Sequence, residues 1–333
     1  MTKAIRTSVV GAGWMGGMHS RVLFENEKAE LVSIMDLDNK RGSDLAKSFG
    51  VKYTDSFEEV LEDSSVQAVV LCLPDHLHRE ATIKAIKAEK HILLEKPLAT
   101  TLQDAKDILE ATKGYYGKIS IGHLLRYDNR FAQAKRLIQK GEIGDVIHIS
   151  SWRNNTLIGA ERLQGRTSIM FYLGVHEIDL IRWYTDSEVV RVFSESNTRK
   201  LVHLGTEDVY VSTLKLANGT VACMELSWCL PNGFSSRLQA GMEIVGTKGA
   251  VCIDSFNTGL SLVNEEKNMN LDTFYWPEVN GRLNGALSNQ MDGFLNSILD
   301  DTEPLVTVED AYKAVEVACG LTESSRNGYP VNL

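Results

Sequence analysis

At 333 residues the chain is long enough for two domains, and its 43% hydrophobic and 24% charged residues exclude a disordered, collagen-like or coiled-coil chain. A formal net charge of -9 without any Lys/Arg cluster excludes a broad basic footprint for nucleic acid and points to small-molecule partners. Five scattered cysteines with no Cys-x-x-Cys pair exclude a disulfide framework and a zinc knuckle, so no metal is expected, and no apolar stretch is long enough to span a bilayer.

Lys3 and Arg6 ahead of an apolar run mimic a leader, but glycines interrupt the run and assign it to a first strand beginning near Ala4. With free thiols, the expectation is a cytoplasmic protein. Val9-Val10-Gly11-Ala12-Gly13-Trp14-Met15-Gly16 turns that strand into a helix, with glycines at the three spacings a dinucleotide pyrophosphate needs. Gly11 permits the tight turn, Gly13 lets backbone approach phosphate, and Gly16 lets the helix lie on the strand. Trp14 and Met15 open the helix, whose N–H groups face the anion. Leu31–Met35 reads as a second strand ending in Asp36, where a carboxylate accepts ribose hydroxyls and favours NAD; nearby Lys40 and Arg41 leave NADP possible.

Arg41–Phe49 then reads as a helix closed by Gly50, Val51–Tyr53 as a strand, and Ser56–Leu61 as a helix with Ser56 and Glu59 as a capping box. Val66–Leu73 is a nearly continuous apolar strand ended by Pro74, and Leu77–Glu89 a helix. His91–Leu94 delivers Glu95-Lys96-Pro97, and a helix over Thr101–Thr112 leads to a sixth strand at Lys118–Gly122. This predicts a Rossmann doubly wound parallel sheet over residues 1–122. Residues 123–333 read as an α+β domain with a large, mostly antiparallel open sheet. Its strands are expected at Val146–Trp152, Val189–Ser194, Val209–Leu216, Thr220–Trp228, Gln239–Val245, Ala250–Ile253 and Gly259–Val263. Helices are expected at Asn129–Gln139, Ile169–Tyr184, Asn284–Leu299 and Val308–Arg326.

Ligands of open parallel sheets bind beyond the carboxyl ends of the strands, where the glycine turn, Leu73-Pro74 and Glu95-Lys96-Pro97 converge. A Lys-Pro step there holds an ammonium group where it can polarise a substrate oxygen. His78, just after Pro74, is a further residue at the cofactor edge. On the later helix, Tyr172 and His176 are four apart and share a face, with Asp179 one turn beyond. An imidazole, with an ordinary pKa of about 6.5, suits proton exchange with an alcohol at neutral pH.

Together these residues resemble the Gfo/Idh/MocA oxidoreductases over essentially the whole chain. The resemblance rests on Gly11-x-Gly13-x-x-Gly16, Leu73-Pro74-Asp75-His76-Leu77-His78 and Glu95-Lys96-Pro97. Gly122-His123-Leu124-Leu125-Arg126-Tyr127-Asp128, Val175-His176-Glu177-Ile178-Asp179 and Glu243-Ile244-Val245-Gly246 are similar to the inositol dehydrogenase subgroup. It implies that Lys96 and His176 are catalytic and that Arg126 and Arg153-Asn154-Asn155 lie near substrate. It also implies a homodimer or homotetramer paired through the face of the second sheet, on which alternating residues of Val209–Leu216 and Val221–Trp228 would otherwise be exposed. One position departs from the family: its usual Asp-x-x-x-His is Tyr172-x-x-x-His176 here, which puts inositol itself in doubt and makes Tyr172 a catalytic or substrate-orienting candidate.

The expected function is therefore an NAD(P)-dependent oxidoreductase for a secondary alcohol or ketone of a cyclic polyol, sugar or sugar derivative. The competing class is a non-catalytic dinucleotide or sugar sensor of the same fold, which retention of both Lys96 and His176 disfavours.

Overall fold

Apolar runs covered on both faces and joined by helices demand a parallel sheet, and the first half of the chain folds that way. The computed structural model describes residues 4–333, so Lys3 lies outside the described residues. β1 (Ile5–Val10), α1 (Trp14–Glu25), β2 (Ala29–Met35), α2 (Asn39–Phe49), β3 (Lys52–Thr54), α3 (Phe57–Glu62), β4 (Ala68–Leu71), α4 (His78–Lys87), β5 (His91–Leu94), α5 (Leu102–Ala111) and β6 (Ile119–Ile121) alternate along the chain. The six strands are parallel in the order β3-β2-β1-β4-β5-β6. Local signals set the helix ends. Asp38 caps α2 by accepting the Arg41 N–H, and Gly50 ends it at φ 68°. Ser56 caps α3 through the Glu59 N–H, but the Glu59 carboxylate turns to Thr54 and Lys52, so the reciprocal half of the expected capping box is not made.

Further along come α6 (Asn129–Gln139), β7 (Val146–Thr156), α7 (Leu157–Leu163) and a π-helical turn (Met170–Gly174) that runs into α8 (Val175–Thr185). β8 (Val189–Asn197), β9 (Val209–Leu216), β10 (Val221–Leu230), β11 (Leu238–Gly246), β12 (Ala250–Asp254), β13 (Ser261–Val263) and β14 (Asn268–Asn270) follow. The chain ends with β15 (Glu278–Val279), β16 (Arg282–Leu283), α9 (Ala286–Leu299), α10 (Val308–Asn327) and β17 (Val331–Asn332). The second sheet has seven strands in the order β12-β11-β7-β10-β9-β8-β17; β7 and β10 are parallel, the other pairs antiparallel. The expected strand at Gly259–Val263 does not enter it. That segment forms the β13-β14 hairpin, and β17 takes the seventh place.

Packing divides the chain into two units: residues up to Tyr127 with Tyr275–Tyr312, and Asp128–Phe274 with Lys313–Leu333. A single cut at Gly122 leaves out this return of the chain to the first unit. There Leu287, Met291, Phe294 and Leu295 of α9 share one buried cluster with Val22 and Leu23 of α1. An amphipathic stripe announces a buried face without naming the sheet that buries it. In the second unit the strands alternate cleanly: on β10, Ala222, Met224, Leu226 and Trp228 are buried while Val221, Cys223 and Glu225 are exposed. The buried side packs against the π-helical turn, where a Cβ on Gly174 would meet the Leu226 side chain at 2.8 Å.

Candidate active site

The three glycines of the first turn answer to different constraints. Gly11 has φ 98°, and a Cβ there would lie 2.3 Å from the Cys72 carbonyl oxygen. A Cβ on Gly16 would lie 1.8 Å from the Gly11 carbonyl oxygen. Gly13 has an ordinary φ of -67°, and a Cβ there would meet nothing within 4 Å. The protein's own packing therefore gives no reason for that glycine. The open space stands at the N-terminus of α1, which has no side-chain cap and no acidic residue in its first turn. That is the cradle a pyrophosphate requires. Trp14, exposed at the start of α1, sets its ring edge-on to Trp276 with centroids 4.9 Å apart, and Met15 follows it into the helix.

Asp36 follows β2 with its carboxylate buried, and its side-chain partner, Arg41, is half exposed and faces solvent. It accepts the Ala12 N–H at 2.6 Å, the Asp38 N–H at 2.8 Å, and Arg41 through Nε at 3.1 Å and Nη2 at 2.7 Å. Burial opposes its ionisation, but the Arg41 bond and the two backbone N–H groups outweigh it and hold the pKa below the usual value. The carboxylate thus fastens the glycine turn to the end of β2. Arg41 is committed to it, which reduces the claim of that arginine on a 2′-phosphate.

Lys96 stands just past β5, half-buried, with a cis bond to Pro97. Two histidines of the same unit fix its surroundings. The buried ring of His78 spans the Pro97 carbonyl at 2.7 Å and the Leu73 carbonyl at 2.9 Å, tying the ends of β4 and β5 together. Burial lowers its pKa against the pull of those carbonyls. His78 is therefore a positioning residue on the backbone that carries Leu73, Pro74 and Pro97. His19, on α1, bonds through Nε2 to Glu95 at 2.7 Å. Burial opposes ionisation of Glu95, yet the bond to His19 and the nearby Lys96 and His78 hold its pKa below the ordinary value. Sequence reasoning missed His19. The signal was its position three residues after Gly16, on the buried face of α1.

In the second unit, every residue from Ile169 to Arg182 is buried except Tyr172 and His176. These two share the one open face of the helix, as their spacing predicts. Tyr172 sits in the π-helical turn, a local widening common at functional sites. Its ring lies 5.3 Å from that of Trp228, and its hydroxyl accepts a hydrogen bond from Arg162 Nη2 at 2.8 Å. Arg162 was not singled out from the sequence, because α7, on which it lies, was not expected.

The remaining candidates are placed differently. Arg126 is buried and holds Asp310 at 3.2 Å and the Leu305 carbonyl at 3.1 Å. This is an ion pair within the first unit. Arg153 and Asn154 are adjacent on β7 and so point to opposite faces of the sheet. Arg153 reaches the buried carboxylate of Glu177 on α8, while Asn154, also buried, donates through Nδ2 to Glu225 at 2.7 Å on the opposite face. Among the described residues there is no group of three or more His, Cys, Asp or Glu able to hold a metal.

Comparison with known proteins agrees with the fold. Residues 5–123 match the family model for the Gfo/Idh/MocA oxidoreductase family with an NAD-binding Rossmann fold, and residues 131–252 match the Gfo/Idh/MocA C-terminal domain. Scyllo-inositol 2-dehydrogenase (NAD(+)) of Bacillus subtilis strain 168 is 28% identical over 339 residues, covering 100% of this chain and 97% of the relative. Inositol 2-dehydrogenase 1 of Saccharopolyspora erythraea is 32% identical over 259 residues, covering 75% and 74%. Among solved structures, that of GenD2 from gentamicin A biosynthesis in complex with NAD superposes with a TM-score of 0.87 at 26% identity, covering 100% of this chain and 97% of that one.

Proposed function

Since the chain belongs to the Gfo/Idh/MocA oxidoreductase family, we propose that it interconverts a secondary alcohol and a ketone on a cyclic polyol, sugar or sugar derivative, with Lys96 and His176 as its catalytic groups. The supporting observation is the exposure pattern of the later helix, which leaves only an imidazole and a phenol open beside a run of buried residues. NAD, when held by the Gly11–Gly16 turn and Asp36, supplies the hydride acceptor. His176 takes the hydroxyl proton as general base. Lys96 places its positive charge on the oxygen as alkoxide character develops, and His19, Glu95 and His78 keep the lysine in position. In reduction the same imidazole returns the proton. Tyr172 orients the substrate oxygen beside His176. The test is a panel of inositols, neutral hexoses and sugar derivatives offered with NAD: at least one should yield reduced nicotinamide. Tight NAD binding with no turnover on any member would contradict the reading and favour a sensor.

The protein is further proposed to be cytoplasmic and a homodimer or homotetramer. No described helix is long and apolar enough to cross a membrane, and the five cysteines are free, which suits a reducing compartment. The exposed face of the second sheet supports self-association. Strand register sets Arg191 and Lys215 in one row across it and Glu195, Val211 and Glu225 in another, with Phe193, Thr213 and Cys223 between them. A two-fold axis running along those rows would lay the basic row of one copy on the acidic row of the next. A concavity of about 670 Å³ lies on this face, lined by Arg191, Phe193, Lys215 and Cys223 among others. Light scattering at micromolar concentration should give a multiple of 37.0 kDa, falling towards that mass in high salt; a single-chain mass at low salt would rule the assembly out.

A further inference from the structure

Arg162 and Arg166 lie between β7 and the π-helical turn, and both are exposed. Among the described residues, Arg162 donates to the Tyr172 hydroxyl and Arg166 to the Leu163 carbonyl, and neither pairs with a carboxylate. In a chain with 44 acidic and 35 basic residues, carboxylates to neutralise them are plentiful. The same connection carries two buried hydroxyl oxygens, Thr167 Oγ1 and Ser168 Oγ, that have no hydrogen-bond partner among the described residues. A guanidinium is thus fixed on the phenol that stands one turn from His176. Arg presents a planar fork of N–H donors matched to a carboxylate or phosphate. A purely neutral polyol leaves that fork and its charge unused.

The geometry points to a substrate that carries an oxyanion, a sugar or cyclitol bearing a carboxylate or a phosphate, which Arg162 recognises beside Tyr172. This rests on the reading that Tyr172 and His176 face the substrate. It also gives the Asp-to-Tyr departure a physical meaning. An aspartate at that position would repel such a substrate, whereas a phenol braced by an arginine accepts it.

The experiment is binding, read by calorimetry on the NAD-loaded protein without any need for turnover. Hexuronates and hexose 6-phosphates are compared with the matched neutral hexoses, in wild type and in Arg162→Gln, which keeps a donor for Tyr172 but removes the charge. One anionic class should bind at least tenfold more tightly than its neutral counterpart, the two arms separating carboxylate from phosphate. Arg162→Gln should erase the preference and Arg162→Lys should restore part of it. Equal affinity for acid and neutral forms, binding of neither, or a preference that survives Arg162→Gln would overturn the proposal. A standing anion preference with no oxidation of any sugar would defeat the hydride-transfer reading alone. Oxidation of neutral sugars without anion preference would defeat this one alone.

Discussion

Lys96→Ala is expected to lower kcat by about 10³-fold, the scale on which a preorganised charge at a developing oxyanion contributes, while leaving NAD binding within a few-fold of wild type. The two effects separate because of how the lysine is held. His78 bonds to the Leu73 and Pro97 carbonyls and His19 to Glu95, so the backbone past β5 is fixed by groups other than the ammonium. The pyrophosphate cradle at Gly13 and the Asp36 anchor lie at the ends of other strands and do not depend on Lys96. Turnover with the substrate found in the panel, alongside nucleotide titration, checks both halves. Full activity in Lys96→Ala would remove the lysine from the mechanism.

Arg153→Met should cost stability rather than substrate affinity. Arg153 and Glu177 form an ion pair with side chains 5% and 1% exposed, so removing the cation strands a carboxylate in the interior at a cost of about 3–5 kcal/mol. For a unit of this size that lowers Tm by about 10 °C. Glu177 also sets the pH dependence. Burial raises its pKa above the ordinary 4.5, with Arg153 opposing. A carboxyl group whose folded pKa is raised binds more protons folded than unfolded, so its contribution is fully present below the unfolded pKa and is lost as pH rises through the folded one. Without Arg153 the pKa rises further, and the Tm deficit should be smaller at pH 5 than at pH 8. Adding Glu177→Leu should recover most of the loss, because replacing both charges removes the desolvation cost along with the pair. A variant with wild-type Tm and a raised KM would instead return Arg153 to the substrate.

These two residues show where the sequence was legible. Lys96 could be proposed because a buried parallel strand reads as a short apolar run, and a Lys-Pro step at its carboxyl end lies on the edge where ligands of such sheets bind. The same logic gave the glycine turn, Asp36 and the six strands of the first sheet. The setting of Arg153 was not legible because its partner is 24 residues away on another element, and only the pleat of β7 decides that it turns inward while Asn154 turns outward. The pairing of Arg126 was equally out of reach, its acid lying 184 residues on at Asp310. Strand pairing in the second sheet was beyond reach for the same reason. Hairpin turns announce β9-β10 and β11-β12, but nothing local announces that β7 enters between β10 and β11, parallel to one and antiparallel to the other. The missed α7 is a seven-residue helix containing Gly159, where a Cβ would press on the Trp228 ring at 2.7 Å. Packing against an indole, not helix propensity, placed that glycine. Arg162 followed α7 out of view.

Spacing put Tyr172 on the face of His176 and the family resemblance marked it as a departure, but its physical setting was not legible. The bond from Arg162 and the tilted contact with the Trp228 ring hold the phenol in one orientation.

The central claim is that a hydride leaves a carbinol carbon for the nicotinamide while this chain's own residues manage the proton. It is tested most directly by following deuterium placed on the carbinol carbon of whichever panel member is oxidised. The label should be recovered in the reduced nicotinamide, with none exchanged into water. Deuterium found in the solvent, with the nicotinamide unlabelled, would contradict the account.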